Sequence, residues 1–304
     1  MNSKTKYPVT DDELRTIFRE AGLGAVSDIE MISDGWYNNV LSVTAGGADY
    51  VIKIAPEPGV KVLTHEKDLM ARELRFIALL EERATVRVPK VYAGDLSRTL
   101  IPCDYFIMEK LGGKRLDKAK IKADEGILNI LDEFHAIEGT GFGYEQMGLE
   151  PNWYKALRKM TQALVDDCAY FKKPCPIGKK LLKEIDRHRA ILEQVPSVLV
   201  NFDLHSMNLF YDRGELTVID LERCFWGDWV GDYVYRESKL PQNCGREEKI
   251  RLYLLMGYLT LIMYTEKYSR YKPWNKTWWA DVAGTIYFGA KAFTQLKKLG
   301  KRDI

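Results

Sequence analysis

The chain has 304 residues, enough for two packed domains, since single cores rarely keep growing beyond roughly 250–300 residues. It is 46% hydrophobic and 29% charged, as soluble globular proteins are, and a formal net charge of +2 supplies no concentrated basic surface for nucleic acid or an anionic membrane. Five cysteines without a CxxC pair and four scattered histidines argue against a disulfide framework or a zinc site.

In chain order, the N-terminal stretch has no apolar h-region, and the greasiest run, Leu252–Tyr264, is too short to span a bilayer. A cytoplasmic protein with no membrane partner is expected. Thr10 and Glu13 form a T-x-x-E capping box ahead of Leu14, Ile17, Phe18 and Ala21 at helical spacing, and Gly22 and Gly24 end that helix. Strand-like runs at Ile29–Ile32 and Val40–Thr44 flank the turn-rich segment 33–39. A turn at Gly46-Gly47 leads into Asp49–Ala55, with Tyr50, Ile52 and Ile54 on one face and Lys53 on the other. Met70, Leu74, Ile77 and Leu80 stripe a helix over about 64–83, and Val88–Ala93 and Tyr105–Met108 read as two more strands. This antiparallel sheet with one long helix ends near Leu111-Gly112-Gly113. Beyond it, helices are predicted over 124–137, 153–170, 179–194, 247–268 and 278–299, interrupted by 198–221. The expected fold class is α+β, split into 1–112 and 113–304.

The interruption carries the chemistry. Asn201-Phe202-Asp203-Leu204-His205-Ser206-Met207-Asn208 precedes Leu209-Phe210-Tyr211, a turn at Asp212-Arg213-Gly214, and Leu216-Thr217-Val218-Ile219-Asp220. Two short apolar runs around a Gly-containing turn make a β-hairpin. With Tyr211 opposite Leu216, Asn208 falls opposite about Ile219 and next to Asp220. An amide oxygen and a carboxylate then share the open end of the hairpin. These are the hard ligands Mg²⁺ takes while keeping room for water and phosphate oxygens. Asp203 lies upstream on a loop, within reach of the space in front of that metal.

The order D-x-x-x-x-N, then a distal Asp, resembles the catalytic core of protein kinases. In detail it is closer to the aminoglycoside phosphotransferase and choline kinase family, whose sequences look like H-x-D-x-x-x-x-N, then V-I-D, then G-D-x-x-x-D. Here the last two are Val218-Ile219-Asp220 and Gly227-Asp228-Trp229-Val230-Gly231-Asp232. Gly141-Phe142-Gly143-Tyr144, ahead of Trp153, is similar to a stretch of the hygromycin-phosphotransferase-like branch. The resemblance runs from about Ile29 to about Tyr235 and implies a two-lobed protein-kinase-like fold: a small antiparallel-sheet N-lobe that binds nucleotide and a larger helical C-lobe that holds the catalytic loop and acceptor site. Asn201 departs from the pattern, standing where the family usually has a backbone-bracing His; Asn also donates and accepts hydrogen bonds.

The resemblance also implies roles. Asp203 takes the acceptor's proton, while Asn208 and Asp220 hold Mg²⁺. Lys53 matches the strand lysine on the α- and β-phosphates, with Glu73 as its anionic partner and Glu66 in reserve. Gly35 and Asn38 match a G-x-x-N stretch whose amides cover the phosphates. The backbone of Glu109 and Leu111 would meet adenine or guanine, so ATP and GTP both stay open as donors. Only seven residues separate Asp220 from Asp228, too few for a peptide-seating segment, so the acceptor is a small molecule. Glu222, Asp228 and Glu237 are the acidic candidates for its amino groups, and Asp232 is read as a brace of the catalytic loop. Trp226, Trp229, Tyr233 and Tyr235 either wall the acceptor pocket or fill the interlobe core. His135 and His205 are packing and loop residues, and Trp274, Trp278 and Trp279 pack the terminal helices, with pocket lining as their second reading. The implied function is phosphorylation of a hydroxyl on an aminoglycoside or related antibiotic, by a monomer or homodimer. A metabolic kinase of a sugar, amino alcohol or amino acid is the alternative, and Asn201 motivates a third, a nucleotide-binding pseudokinase.

Overall fold

The structure, a computed structural model, describes residues 6–32, 37–119, 123–269 and 276–300. Gly35, Trp36 and Trp274 lie outside the described residues. Helix α1 (Asp11–Glu20) starts at a reciprocal cap, with Glu13 N donating to the Thr10 hydroxyl and Thr10 N donating to the Glu13 carboxylate. Strands β1 (Val26–Met31), β2 (Asn39–Ala45), β3 (Ala48–Ile54), β4 (Val91–Asp95) and β5 (Tyr105–Glu109) form an antiparallel sheet in the order β1-β2-β3-β5-β4. Gly46 and Gly47, at φ +57° and +82°, supply the two left-handed residues that a tight hairpin turn between β2 and β3 requires.

Helix α2 (Leu69–Arg83) is shorter than the predicted 64–83. Residues 64–66 form a separate turn, and Asp68 breaks the path at φ 54°. Side chains hold that turn apart: the Glu66 carboxylate accepts from Leu63 N at 2.7 Å, and Asp167 accepts from Thr64 N and the Thr64 hydroxyl at 2.9 and 2.7 Å. No glycine or proline announces the break.

The chain crosses to the helical part at Gly113, φ +74°, where a Cβ would lie 2.3 Å from the Tyr211 carbonyl oxygen. There follow β6 (Lys114–Arg115), α3 (Leu116–Ala119), α4 (Asp124–His135), α5 (Trp153–Tyr170), α6 (Pro176–Arg187), α7 (Arg189–Leu192) and β7 (Val198–Val200). The hairpin β8 (Leu209–Asp212) and β9 (Glu215–Val218) pairs with β6, and β10 (Phe225–Gly227) pairs with β7. Helices α8 (Arg246–Ser269) and α9 (Lys276–Gly300) close the fold. The run predicted over 179–194 is split at His188 and begins earlier, with Pro176 in the first turn, where its missing N–H costs nothing.

Two apolar clusters hold this together. The smaller packs Leu14, Ile17 and Phe18 of α1 on Val43, Ile52 and Ile107 of the sheet. The larger joins Phe76, Leu80 and Phe106 to Phe134, Trp153, Leu199, Phe225 and Tyr258, so apolar packing is continuous between sheet and helices. Each such side chain contributes roughly 1.5–3 kcal/mol on full burial. Residues 252–262 of α8 are buried on every face, so this apolar run is a core helix. Among the described residues no helix is long and apolar enough to cross a membrane.

Candidate active site

The hairpin has the register that alternation predicts: Tyr211 pairs with Leu216 and Leu209 with Val218, and Ile219 N donates to the Asn208 carbonyl at 3.0 Å. Asn208 and Asp220 therefore lie together at its open end. Asn208 Nδ2 reaches back to the Asp203 carbonyl at 3.0 Å and to Asp203 Oδ2 at 3.2 Å. The loop between β7 and β8 is braced twice. Asn201 Oδ1 accepts from Asp203 N at 3.0 Å, and the fully buried Asp232 accepts from Phe202 N at 2.6 Å and Asn201 N at 3.3 Å while facing His135 Nε2 at 2.9 Å. The brace is needed because Phe202 is buried at φ +63°, a conformation bulky residues avoid. Asp232→Ala leaves two buried N–H groups without their acceptor at about 1–3 kcal/mol each. The expected loss is about 3 kcal/mol, read as a melting temperature about 6–12 °C lower.

Strand β3 carries Lys53 into the space between sheet and hairpin, with its side chain 7% exposed. Its Nζ lies 2.7 and 3.0 Å from the two Glu73 oxygens, 2.9 Å from Asp220 Oδ1 and 2.7 Å from Glu222 Oε1. Glu73 reaches it because it borders the buried stripe of α2, whereas Glu66, in the separate turn, caps Leu63. Burial alone would lower the lysine's pKa, but Asp220, Glu222 and Glu73 outweigh it and hold the ammonium charged. Three carboxylates around one ammonium leave excess negative charge. Burial, offset in part by Lys53, together with repulsion from Glu222 and Asp220, pushes Glu73 up to about 7. Asn38 Nδ2 also donates to Glu222 Oε1, and Arg72 Nη2 donates to the Glu222 carbonyl.

Asp203 is 15% exposed, and its Oδ1 faces Tyr235 OH at 3.3 Å, Arg223 Nη1 at 3.4 Å and His205 Nε2 at 3.6 Å. Burial raises its pKa, while Arg223 and His205 pull it back toward the ionised form. Arg223 is held in turn by both oxygens of Glu266 on α8, at 2.9 and 3.1 Å. Arg223, Glu266 and Arg72 are the participants that sequence reading missed. Arg223 sits three residues after Asp220, but nothing in spacing links it to Glu266 on a distant helix.

The other candidates are more dispersed. Asp228 is fully buried against Arg251 Nε at 2.9 Å, and burial lifts it to about 6 despite that cation. Glu237 pairs with Lys291 and accepts from Tyr253 OH at 2.5 Å. Trp226 packs on Phe76 and donates to Glu145 at 2.7 Å; Trp229 lies against His135 and Tyr233. Of the four aromatic candidates, Tyr235 is the one whose hydroxyl reaches Asp203, and its ring meets Phe288 of α9 edge-on. Trp153 stacks on Phe225 in the core, and Trp279 is half exposed. Glu109 donates its N–H to the Lys90 carbonyl at 2.8 Å and accepts from Arg87 at 2.6 Å, and Leu111 follows at the end of β5. A cavity of about 660 Å³ lies between the 64–68 segment and α5, lined by Thr64, Lys67, Tyr154 and Lys155 but by neither Lys53 nor Asp203.

This arrangement brings a buried lysine–glutamate pair, a partly exposed carboxylate, an amide oxygen and a second buried carboxylate to one seam between sheet and helices. Among solved structures, a protein of Ralstonia eutropha JMP134 described as an aminoglycoside phosphotransferase is 15% identical, with a TM-score of 0.65 over 95% of this chain and 98% of that one. A thermostable mutant of the aminoglycoside phosphotransferase APH(4)-Ia, in a ternary complex with AMP-PNP and hygromycin B, is 17% identical, with a TM-score of 0.64 over 94% and 98%. A protein of Haemophilus somnus 129PT described as a fructosamine-3-kinase is 15% identical, with a TM-score of 0.57 over 94% and 96%. These likenesses show the two-lobed, protein-kinase-like fold. No curated protein matches the chain by sequence. The model of the phosphotransferase enzyme family matches residues 28–235, more than half of the chain and the whole span from Lys53 to Asp232, and the chain belongs to that family.

Proposed function

We propose that this phosphotransferase is a Mg²⁺-dependent kinase that moves the γ-phosphoryl group of ATP or GTP to a hydroxyl of a small molecule. One observation carries the reading: Lys53, paired with Glu73 on the sheet side, meets Asp220 of the hairpin at 2.9 Å, with Asp203 and Asn208 on the same hairpin end. In it, residues 1–112 form the nucleotide lobe and 113–304 the acceptor lobe.

The donor set suits Mg²⁺. Asn208 spends its N–H on Asp203 and presents its amide oxygen, and Asp220 presents a carboxylate that is 40% exposed, so water and phosphate oxygens have access. Bound there, Mg²⁺ supplies charge that offsets the negative charge spread over the transferred group. Lys53, set by Glu73, orients the α- and β-phosphates, with the amides around Gly35 and Asn38 over them. The backbone of Glu109 and Leu111 receives the base. Asp203 orients the acceptor hydroxyl and takes its proton, and its raised pKa makes it a better acceptor than an ordinary carboxylate. Asn201 does bracing work on the Asp203 N–H, which supports an active enzyme over a pseudokinase.

The acceptor we favour is an aminoglycoside or related hydroxylated antibiotic, in a cytoplasmic monomer or homodimer. A metabolic acceptor is the second reading. Its support is that Asp228, Glu237 and Glu222 are engaged by Arg251, Lys291 and Lys53, while Arg223 stands beside Asp203. ADP and GDP release over a panel of aminoglycosides, hygromycin B, fructosamines, choline, homoserine and sugars tests both. Stimulation by an antibiotic alone supports the first reading, and stimulation by a metabolite alone replaces it with the second.

A further inference from the structure

Glu222 has no task in the reaction just described, yet its carboxylate, 14% exposed, sits at the centre of the nucleotide side. Its Oε1 accepts from Lys53 Nζ at 2.7 Å and from Asn38 Nδ2. An ammonium has three N–H donors. Those of Lys53 point at Glu73, Asp220 and Glu222, all within 3.0 Å. A lysine that holds phosphates needs a donor for them, so one carboxylate must yield. Asn38, from the segment proposed to cover the phosphates, is bound to that same Glu222 oxygen. One anionic oxygen that receives both Lys53 and Asn38 has the coordination of a phosphate oxygen.

Of the three carboxylates, Glu222 is the one placed to leave. Glu73 is 4% exposed and pairs through both of its oxygens from the buried face of α2. Asp220 serves the metal in the proposed reaction. Glu222 is also anchored at its backbone: Arg72 Nη2 donates to its carbonyl, which keeps the 221–223 turn fixed when the side chain rotates out. Like charge favours that exit, since a carboxylate and a polyphosphate repel each other at this range.

We infer that Glu222 is an internal stand-in for a nucleotide phosphate, an autoinhibitory side chain that competes with nucleotide for Lys53 and Asn38. The inference rests on Lys53 being the phosphate ligand. Its consequence is a lowered apparent affinity, because only the fraction of molecules with Glu222 withdrawn can bind.

Isothermal titration of the full chain with ADP, first in EDTA and then in Mg²⁺, tests this on wild type, Glu222→Gln, Glu222→Ala and Lys53→Met, each checked for a cooperative melting transition. Both Glu222 variants are expected to bind ADP about 3- to 10-fold more tightly in EDTA, with the gain retained in Mg²⁺. Equal affinities overturn the inference. So does weaker binding confined to Mg²⁺, which would make Glu222 a metal ligand. Lys53→Met tests the phosphate ligand separately: if it binds ADP as wild type does, Lys53 is not that ligand, whatever the Glu222 variants show.

Discussion

Replacing Asp203 by alanine is expected to cut phosphoryl transfer by about 10²–10⁴-fold, the usual contribution of a positioned general base. Nucleotide KM should stay near the wild-type value, because the lost interaction belongs to the acceptor in the transition state. The fold supports that separation. The loop is braced by Asp232 and Asn201 through backbone N–H groups, and neither brace uses the Asp203 side chain. Removing that side chain does leave Arg223 with Glu266 as its remaining carboxylate partner, so the melting temperature should be followed in parallel. A pH profile adds a second readout. Burial raises the Asp203 pKa, so the wild-type rate should fall on the acid side at a higher pH than an ordinary aspartate, about 3.9, would give. Full turnover by the alanine variant, or an acid limb at the ordinary position, counts against Asp203 as the base.

The second large effect is expected at Asp220. Alanine there removes the carboxylate beside Asn208 and, with it, one of the anions around Lys53. Loss of one electrostatic contact to a transferring group costs about 10²–10³ in turnover. The signature is in the metal dependence: the variant should need far more Mg²⁺ for half-maximal rate, and its ADP affinity should no longer rise on going from EDTA to Mg²⁺. An unaltered Mg²⁺ requirement would remove Asp220 from the metal site.

Much of this site is legible in the chain because it depends on local periods. A two-residue alternation around Asp212-Arg213-Gly214 sets Asn208 beside Asp220, and helical spacing on α2 puts Glu73 at the edge of the buried stripe that faces Lys53. The sheet follows from the same alternation, whereas α8 is legible as an unbroken apolar run, since residues 252–262 are buried on every face. What escapes are bonds between side chains far apart in sequence. Arg223 finds Glu266 on α8, and Asp228 finds Arg251 on the same helix; neither pairing has a spacing rule. The break at Lys67-Asp68 escapes for a similar reason, since Asp167 of α5 holds Thr64 from outside the segment. Glu222 shows the limit from the other side. Its charge and closeness to Asp220 suggest an acceptor contact, but the turn at Leu221–Arg223 aims it back at Lys53.

Transfer of the labelled γ-phosphoryl group from ATP or GTP to a small-molecule hydroxyl, with Asp203→Ala as the blank, decides whether the chain is a kinase. Mg²⁺-dependent formation of a phosphorylated acceptor is expected with the wild-type chain, and its loss in the variant. Nucleotide binding with no transfer to any antibiotic, sugar, amino alcohol or amino acid offered would contradict the kinase reading and leave the chain a nucleotide-binding protein without kinase activity.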